Sequence, residues 1–415
     1  MTSSMLDRYA EVAGPEAVAG LHQMASRFDG QRVVHVNSTR TGGGVAEILF
    51  WMVPLMRELG LDVQWEVIEG DARFYEMTKS LHNGLQGRDI MIPPKWADAY
   101  HEANRAAAER LGPMLADADF VFIHDPQPAE LRSLITDVRG HWVWRCHIDV
   151  SHPSRVAWKF LRPFVELYEA SIFSMPQFSQ AMTHSQFIIA PSIDPLSEKN
   201  IELPQEEIDN VRAQFELDPE RPLLVQVSRF DRFKDPLGVI EAYRLVRRYA
   251  PVQLVLAGGG ATDDPEGAEV LNAVQEEAAD DPDLHVLFLP GDAHRTINAL
   301  QRAADIVIQK STREGFGLTV TEGMWKSKPV IGGNTGGIRL QVFDYGTGFL
   351  VNSPEGAAHR ILYLLRRPNR IQKIGEAARE FVREYFLNTR HLREYLTLML
   401  GLSHGITDRI FANGE

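Results

Sequence analysis

The stretch KSTREGFGLTVTEGMWKSKPVIGG, residues 310–333, places two carboxylates beside a glycine-rich turn. Glu314 directly precedes the turn Gly315–Gly317, and Glu322 follows with seven residues between the two acids. The pattern predicts that the turn joins a strand to a helix beginning near Gly317. Backbone N–H groups at such a helix start attract an anion such as phosphate, whereas a carboxylate beside a phosphate would be repelled. We therefore expect both glutamates to face hydroxyl groups, so that the stretch would bind a sugar nucleotide; the alternative is a helix start with solvated acids.

Two cations follow a second predicted strand, in the stretch QVSRFDRFKDP. Arg229 and Lys234 could bracket a pyrophosphate, because arginine binds it as a bidentate fork and lysine as a point charge. Both would stabilise the negative charge that grows on a leaving diphosphate. The alternative is a surface loop of mixed charge, since Asp231, Arg232 and Asp235 lie in the same stretch.

Three further glycine clusters follow predicted strands. In TRTGGGVAEI, Gly42, Gly43 and Gly44 stand before a helix and would let the backbone approach a ligand closely. This cluster lacks the Lys-Ser/Thr ending of a P-loop. Gly258–Gly260 and Thr335–Gly337 are weaker candidates, and a plain turn is the alternative for each.

Polar residues also follow two strands of the first half. WRCHIDVSHP carries His147 and Asp149, and IHDPQP carries Asp125 and Gln127. We expect His147 to contact a sugar hydroxyl, with a buried, fully bonded core histidine as the alternative. Asp125, Gln127 and Asp149 are candidates for the acceptor side, although an ordinary proline turn would also explain Asp125 and Gln127. His-x-Asp alone is weak evidence for a metal site.

Composition limits the class of protein. The chain has 415 residues, a formal net charge of -13 and 44% apolar residues, which indicates globular domains and argues against general binding to nucleic acid or anionic membrane. Cys146 is the only cysteine, so no disulfide forms within the chain. No signal-peptide pattern and no long apolar run are visible, and we expect a cytoplasmic protein.

Short apolar runs alternate with helical patterns along the chain, which predicts parallel sheets built from βαβ units. A segment rich in proline and polar residues, Pro191–Pro204, interrupts the alternation and is interpreted as a linker. The predicted fold is α/β, with two doubly wound Rossmann-like domains facing each other across a cleft. Residues 1–195 form the acceptor domain and 196–389 the donor domain, and a C-terminal helix at about 390–415 could pack back on the first domain.

The residues above resemble those of retaining glycosyltransferases of the GT-B fold, in the large family 4 group. The Glu-x7-Glu element from Glu314 to Glu322 is the hallmark of that group, and the cation pair and the first glycine loop also match. The resemblance covers nearly the whole chain. Three stretches, HVNSTRTGGGVAEIL, WRCHIDVSHP and QKSTREGFGLTVTEGMWKSKPVIGG, are similar to the branch that makes α,α-trehalose from a nucleoside diphosphate glucose and free glucose. Many group members have Pro-Ser where this chain has Lys310-Ser311, in agreement with that branch.

The resemblance implies roles for the matching residues. Arg229 and Lys234 would hold the donor diphosphate, and Glu322 would bind the ribose hydroxyls. Glu314, with the amides of Gly315–Gly317, would hold the transferred glucose and the nearby phosphate. The other residues implied in donor binding are Gly43, Gly44, His147, Gly315, Phe316 and Gly317. The donor would be ADP-, UDP- or GDP-glucose, and the reaction could run in either direction. We expect no tightly bound cofactor, with Mg²⁺ at most stimulatory, and small sugars as partners; a homodimer is one option.

Retention would ordinarily suggest a carboxylate nucleophile. A glutamate that binds hydroxyls need not reach the far face of the anomeric carbon, so the sequence favours departure and attack on one face instead. Three alternatives stay open. The chain could be a family 4 transferase with another acceptor, such as a phosphosugar, glycerate, a lipid or a polysaccharide. It could be a nucleotide-sugar epimerase of the same fold, or a non-catalytic protein that binds sugar nucleotides.

Overall fold

The computed structural model describes residues 4–41, 44–259 and 265–405. The chain divides into two compact units. The first comprises Met1–Pro191 together with Asn388–Glu415, and the second comprises Ser192–Leu387. The predicted boundaries stand at residues 195 and 389.

The first unit is built on a six-stranded parallel sheet with the order β2-β1-β3-β4-β5-β6. Its strands are β1 (Arg32–Asn37), β2 (Asp62–Val67), β3 (Phe120–His124), β4 (His141–Arg145), β5 (Ala170–Phe173) and β6 (Ser185–Ile188). Its helices are α1 (Met5–Ala13), α2 (Pro15–Ala25), α3 (Gly44–Glu58), α4 (Ala72–Leu85), α5 (Pro94–Asp117), α6 (Leu131–Leu134), α7 (Arg155–Val165) and α16 (Asn388–Ser403).

The second unit contains another six-stranded parallel sheet, with the order β12-β11-β10-β7-β8-β9. Its strands are β7 (Leu223–Val227), β8 (Gln253–Gly258), β9 (Leu284–Phe288), β10 (Ile306–Gln309), β11 (Val330–Gly333) and β12 (Gly348–Val351). Its helices are α8 (Gln205–Gln214), α9 (Pro236–Arg247), α10 (Pro265–Ala278), α11 (His294–Ala303), α12 (Leu318–Trp325), α13 (Ile338–Gln341), α14 (Pro354–Leu365) and α15 (Pro368–Tyr385).

Continuous apolar runs form the central strands, because helices cover both faces of a parallel sheet. All five residues of β3 and all five of β7 are buried. In the second unit, the core packs the sheet against α9 and α14 through residues such as Val239, Tyr243 and Ile361. This packing holds the ends of the strands, and the loops that follow them, in fixed positions.

Each sheet changes its direction of growth once, and the change defines where a ligand can bind. In the first sheet, β2 and β3 lie on opposite sides of β1. In the second sheet, β8 and β10 lie on opposite sides of β7. The crevice beyond the carboxyl ends of two such strands is the usual ligand site of an open parallel sheet. The loops after β1 and β3, and those after β7 and β10, are therefore the candidate site loops.

Two parts of the fold differ from the sequence prediction. Strand β5 was not predicted; it has only four residues, all of them buried. The segment predicted as a linker is packed against the second unit. The backbone carbonyl of Asn200 accepts a hydrogen bond from Trp325 Nε1 at 3.2 Å, and Asn200 Oδ1 accepts one from Lys326 Nζ at 3.1 Å. Proline and polar residues indicate an irregular backbone, but they do not show whether that backbone is anchored.

Within the part of the chain that the structure describes, no helix is both long enough and apolar enough to span a membrane.

Candidate active site

An ion pair joins the two loops at the switch point of the second sheet. Lys234 Nζ, after β7, lies 2.6 Å from Glu314 Oε2, after β10. The pair is largely sheltered, with 19% of the lysine side chain and 10% of the glutamate side chain exposed. Ser311 Oγ donates a second hydrogen bond to the same oxygen at 3.2 Å. The backbone reinforces this junction, since the N–H of Thr312 donates to the carbonyl of Phe233 at 2.8 Å.

A second ion pair lies behind the first. Lys310 Nζ, which is nearly buried, donates to Asp235 Oδ2. Asp235 has a left-handed backbone with φ of 51°, and its side chain caps α9 by accepting from the N–H of Gly238. A non-glycine residue in this conformation persists only where surrounding contacts enforce it. Lys310 therefore anchors the turn that carries Lys234, which gives a role to a cation that the sequence left unexplained.

The glycine turn ends in an unused set of amides. Gly317 has φ of 87° and is the N-cap of α12. Elsewhere in the described chain, no residue accepts a hydrogen bond from the amides of Gly315, Phe316 or Gly317. The turn is held instead through its carbonyls, because Gln341 Nε2 donates to the carbonyl of Phe316 at 2.7 Å. The amides therefore stay available to an anion at the start of the helix.

The glycines after β11 let a third loop approach the same turn. A Cβ at Gly336 would lie 1.5 Å from the carbonyl oxygen of Glu314, and Gly336 has φ of 45°. A Cβ at Gly337 would lie 2.5 Å from the Cα of Phe316, and the amide of Gly337 donates to the carbonyl of Gly315 at 3.2 Å. Gly336 and Gly337 thus support the Glu314 loop by packing closely against it. This role is neither the substrate contact nor the plain turn considered from the sequence.

Glu322 lies on α12 and is almost fully buried. Its backbone carbonyl accepts a hydrogen bond from Lys326 Nζ at 3.1 Å. Burial lowers the pKa of Lys326 to about 7, although the negative charge of Glu322 opposes that shift. Glu322, the second glutamate of the motif, is therefore more deeply buried than Glu314 and lies near Lys326.

Arg229 has a different setting from Lys234. Its side chain is 63% exposed, and its ion-pair partner is Asp231, with Arg229 Nη2 and Asp231 Oδ2 3.4 Å apart. Arg229 follows the end of β7 at the same switch point, but the structure does not join it to Glu314. An exposed arginine held by one weak ion pair can exchange that partner for a ligand at small cost.

Two of the three acceptor-side candidates of the first unit, Asp125 and Asp149, already make internal hydrogen bonds. Asp125 Oδ1 accepts from the backbone N–H of His147 at 2.7 Å, and burial raises the pKa of Asp125 to about 7. Asp149 Oδ1 accepts from both the N–H and the Oγ of Ser151, at 2.9 and 2.6 Å. The Oε1 atom of Gln127 is buried and has no hydrogen-bond partner among the described residues. These contacts shape the loops after β3 and β4.

His147 belongs to a group of histidines that sequence reasoning missed. His147 Nε2 lies 3.0 Å from His124 Nδ1, and His124 Nε2 lies 3.1 Å from His35 Nδ1. His35 is in β1 and His124 ends β3, so the pairing of these two strands brings the rings together. The available signal was one histidine in each of two largely apolar strands, β1 and β3.

Two of the glycine predictions have limited structural support. Gly43 lies outside the described residues, whereas Gly44 opens α3 and has no atom within 4 Å of an added Cβ. The backbone at Gly44 is therefore open to a ligand. At Gly258 a Cβ would lie 1.7 Å from the carbonyl oxygen of Ser228, so this glycine is required for packing between the ends of β7 and β8.

Across residues 4–41, 44–259 and 265–405, the histidines, cysteines and acids form no group of three or more that could hold a metal ion. The charged groups at the switch point are instead arranged as ion pairs beside free amides. Such an arrangement can bind a phosphate through lysine and backbone N–H groups and can bind hydroxyls through carboxylate oxygens.

Comparison with known families agrees with this architecture. Residues 35–180 match the family model described as "Trehalose synthase, N-terminal domain". Residues 207–381 match the model described as "Glycosyl transferases group 1". Among solved structures, an α,α-trehalose 6-phosphate synthase from Burkholderia multivorans superposes with a TM-score of 0.70 at 15% identity, covering 91% of this chain and 100% of that one. Together these findings define a glycosyltransferase with the two parallel-sheet, Rossmann-like domains of the GT-B class.

The relatives narrow the class further. The chain is 46% identical to a trehalose synthase from Thermococcus litoralis over 95% of its own length and 96% of that protein. It is 45% identical to one from Pyrococcus horikoshii, over 96% of each chain. The chain belongs to the trehalose synthase family of glycosyltransferases.

Proposed function

We propose that the protein transfers glucose from a nucleoside diphosphate glucose to free glucose, with retention at the anomeric carbon, and so makes α,α-trehalose. The observation that carries the proposal is the Lys234–Glu314 pair beside the free amides of Gly315–Gly317, at the switch point of the second sheet. This position offers one place for a diphosphate and one for sugar hydroxyls. The relatives named trehalose synthases support trehalose as the product.

In this proposal, Lys234 and the amides of Gly315–Gly317 bind the donor diphosphate. The helix start and the ammonium group would both stabilise negative charge as the bond to the diphosphate breaks. Arg229, which is exposed at the end of the same loop, turns in from solvent to complete the cation pair. A charged group that is pre-positioned in a sheltered site stabilises a transition state more than it would in water.

The ion pair resolves an electrostatic difficulty at Glu314. A free carboxylate next to a diphosphate would repel it, which is why the sequence suggested that Glu314 faces hydroxyls. In the structure its charge is balanced by Lys234 at 2.6 Å. The carboxylate can therefore accept hydrogen bonds from the hydroxyls of the transferred glucose while the lysine faces the phosphates.

The remaining donor contacts follow the family resemblance. Glu322, a nearly buried carboxylate on α12, would bind the ribose hydroxyls. His147 would bind a hydroxyl of the transferred glucose, and Gly43 and Gly44 would approach the donor phosphate or the acceptor. Asp149, whose Oδ1 accepts within its own loop, and Asp125, whose Oδ1 accepts from the backbone of His147 in the loop after β4, would act on the acceptor side chiefly by holding those loops.

The proposed reaction takes place on one face of the sugar. The bond between the anomeric carbon and the diphosphate oxygen breaks, and the acceptor's anomeric hydroxyl oxygen forms the new bond on the same face. The proton of that hydroxyl passes to the departing diphosphate oxygen. The protein supplies positioning and charge stabilisation, and Glu314 is not a nucleophile. No resident cofactor takes part in this scheme, and Mg²⁺ would act only as a stimulant.

The test is to incubate the purified protein with ADP-, UDP- or GDP-glucose, each with and without glucose, and to follow nucleotide release. We expect release with at least one donor, only when glucose is present. Release without any acceptor would instead indicate a hydrolase, whereas conversion of the donor into another nucleotide sugar, seen by NMR without nucleotide release, would indicate an epimerase. Release only with a phosphosugar or glycerate would replace glucose as the acceptor. Binding of the nucleotide sugars with neither release nor conversion would indicate a non-catalytic binding protein.

A further inference from the structure

Three imidazole rings form a continuous hydrogen-bonded chain in the first unit. The chain begins at His35 in β1, passes through His124 at the end of β3, and ends at His147 in the loop after β4. Each link joins a Nδ1 atom to a Nε2 atom, at 3.1 and 3.0 Å. His35 and His124 are fully buried, whereas His147 is only partly buried, so the chain runs from the core toward the surface of the unit.

Burial favours the neutral form of all three rings by lowering the pKa of each one. Burial lowers the pKa of His35 to about 3. Burial also lowers the pKa of His124 and of His147 well below the usual value, and the positive charge of Arg145 adds to both shifts. A neutral imidazole has one N–H and one lone pair, so each ring can donate only one hydrogen bond.

Neutrality couples the tautomers of the three rings. Each of the two links needs one hydrogen, and each ring has one to give. Only two arrangements satisfy both links: every ring carries its hydrogen on Nδ1, or every ring carries it on Nε2. The tautomer of His35 therefore decides that of His147, across two strands.

The buried end of the chain selects between these arrangements. His35 Nε2 is buried and has no hydrogen-bond partner among the described residues. If this atom carried the hydrogen, an N–H group would be buried without an acceptor, which is rare in folded proteins. With the hydrogen on Nδ1, only a lone pair is left without a donor. The arrangement in which every ring carries its hydrogen on Nδ1 is therefore favoured, and it includes His147.

We propose that His35 and His124 are positioning residues that hold His147 in its Nδ1–H tautomer, so that it donates a hydrogen bond to a hydroxyl oxygen of the sugar substrate. The assignment of a sugar hydroxyl as the hydrogen-bond acceptor rests on the proposed function, whereas the tautomer of His147 does not depend on it. His147 would then donate its hydrogen to a lone pair of that hydroxyl oxygen. It would discriminate against a nucleotide sugar that lacks the oxygen.

The packing around His35 keeps the head of the chain immobile. Its ring stacks on Phe122 with centroids 5.0 Å apart and planes 13° apart. Tyr395 of α16 lies 6.3 Å from the same ring and 5.1 Å from Phe122. Because Phe122 stacks on the His35 ring and α16 lies nearby, His35 has little freedom to rotate. A ring that fixes the tautomer of its neighbours must be held in this way.

The direct test is long-range ¹H–¹⁵N correlation on the full-length protein labelled with ¹⁵N-histidine, without substrate, at pH 7. The spectrum distinguishes protonated from unprotonated ring nitrogens. Signals are assigned with His35→Asn, His124→Gln and His147→Gln variants. We expect all three rings to be neutral with Nδ1 protonated. Free neutral histidine prefers Nε2–H, so three Nδ1–H rings would not arise without the chain. Three Nε2–H rings, or mixed tautomers, would overturn the proposal.

Variants along the chain of rings test the coupling. His124→Leu removes the hydrogen bond to His147 Nε2, and we expect His147, whose ring is only partly buried, to become a mixture of tautomers. His35→Leu leaves His124 Nε2 buried without an acceptor, so His124 and His147 should both stay Nδ1–H. His184→Leu is the matched control, because His184 bonds to Ser171 and not to these rings. A His147 spectrum that is unchanged in His124→Leu, or Nε2–H rings in His35→Leu, would contradict the proposal.

Turnover provides a second readout. In His124→Leu we expect the KM for the nucleotide sugar to rise about fivefold, the worth of one neutral hydrogen bond, whereas the KM of the His184→Leu control should stay near the wild-type value. If the tautomers follow the prediction but KM does not change, the hydrogen-bonded rings are arranged as proposed and His147 does not bind the nucleotide sugar. In that case only the role assigned to His147 is wrong. If the protein turns over no nucleotide sugar, the proposed function fails while the spectra still test the chain.

Discussion

Replacing Lys234 by methionine keeps the length of the side chain and removes its charge. The lysine ammonium lies 2.6 Å from Glu314 Oε2 in a pair that is mostly sheltered from water. Loss of a group that stabilises charge in a transition state costs about 10²–10³ in kcat. We expect a decrease of that size in turnover of nucleotide sugar with glucose, measured by nucleotide release at saturating substrate.

The same change also affects stability. Removing one partner of a fully buried pair costs about 3–5 kcal/mol, and this pair keeps some exposure, so we expect about 2 kcal/mol in urea unfolding. The double variant Lys234→Met with Glu314→Gln removes both charges. It should recover most of the lost stability and none of the lost turnover, because the diphosphate still lacks its cation.

Arg232→Ala is the matched control for Lys234. Arg232 lies in the same short turn, but it is well exposed and pairs with the exposed Glu269 at 3.0 Å. Exposed pairs of this kind contribute about 0–1 kcal/mol, so turnover and stability should both stay near the wild-type values. If Lys234→Met retained normal turnover, or if Arg232→Ala lost as much, the assignment of Lys234 to the diphosphate would be refuted.

Three further predictions follow from single contacts. Lys310→Met should lower kcat about ten- to a hundredfold without removing any group that touches substrate, because the turn that aims the catalytic lysine loses its anchor; an unchanged kcat would show that the turn holds itself. Gly336→Ala should cost about 1–3 kcal/mol in urea unfolding, since its Cβ would meet the carbonyl of Glu314, whereas Gly346→Ala, with no atom closer than 3.5 Å, should change little; equal effects would contradict this reading. Lys326→Met should abolish a pH dependence of stability. The pKa of Lys326 is about 7 in the folded protein and ordinarily 10.5, so between these values the unfolded chain binds more protons and the free energy of unfolding of the wild type rises with pH. The same rise in the variant would contradict the assignment to Lys326.

The sequence predicted most of the fold because the strands are short, apolar and buried. RVVHVN and PLLVQVS correspond closely to β1 and β7. Strand β5 was missed because four buried residues, ASIF, do not provide a period. The packed state of Pro191–Pro204 was also missed, because its anchors are single polar atoms of residues distant in sequence, such as Trp325 and Lys326.

For the candidate site, the sequence identified residue types and loops but not their partners. It placed Lys234 and Glu314 after two strands, yet it could not show that these strands are neighbours, which depends on the topology of the sheet. It therefore assigned Glu314 to hydroxyls alone, without the cation that balances it. The chain from His35 to His147 was invisible for the same reason, since strand pairing across 89 residues brings the first two rings together.

Trehalose synthesis with retention can be tested with a nucleoside diphosphate glucose labelled with ¹³C at the anomeric carbon and unlabelled glucose as the acceptor. The product is examined by NMR, in the wild type and in Lys234→Met. We expect one disaccharide, α,α-trehalose, with the label in one ring, both anomeric carbons in the α configuration, and formation strongly reduced in the variant. A labelled anomeric carbon in the β configuration, a linkage to another position of the acceptor, or equal yield from the variant would contradict it.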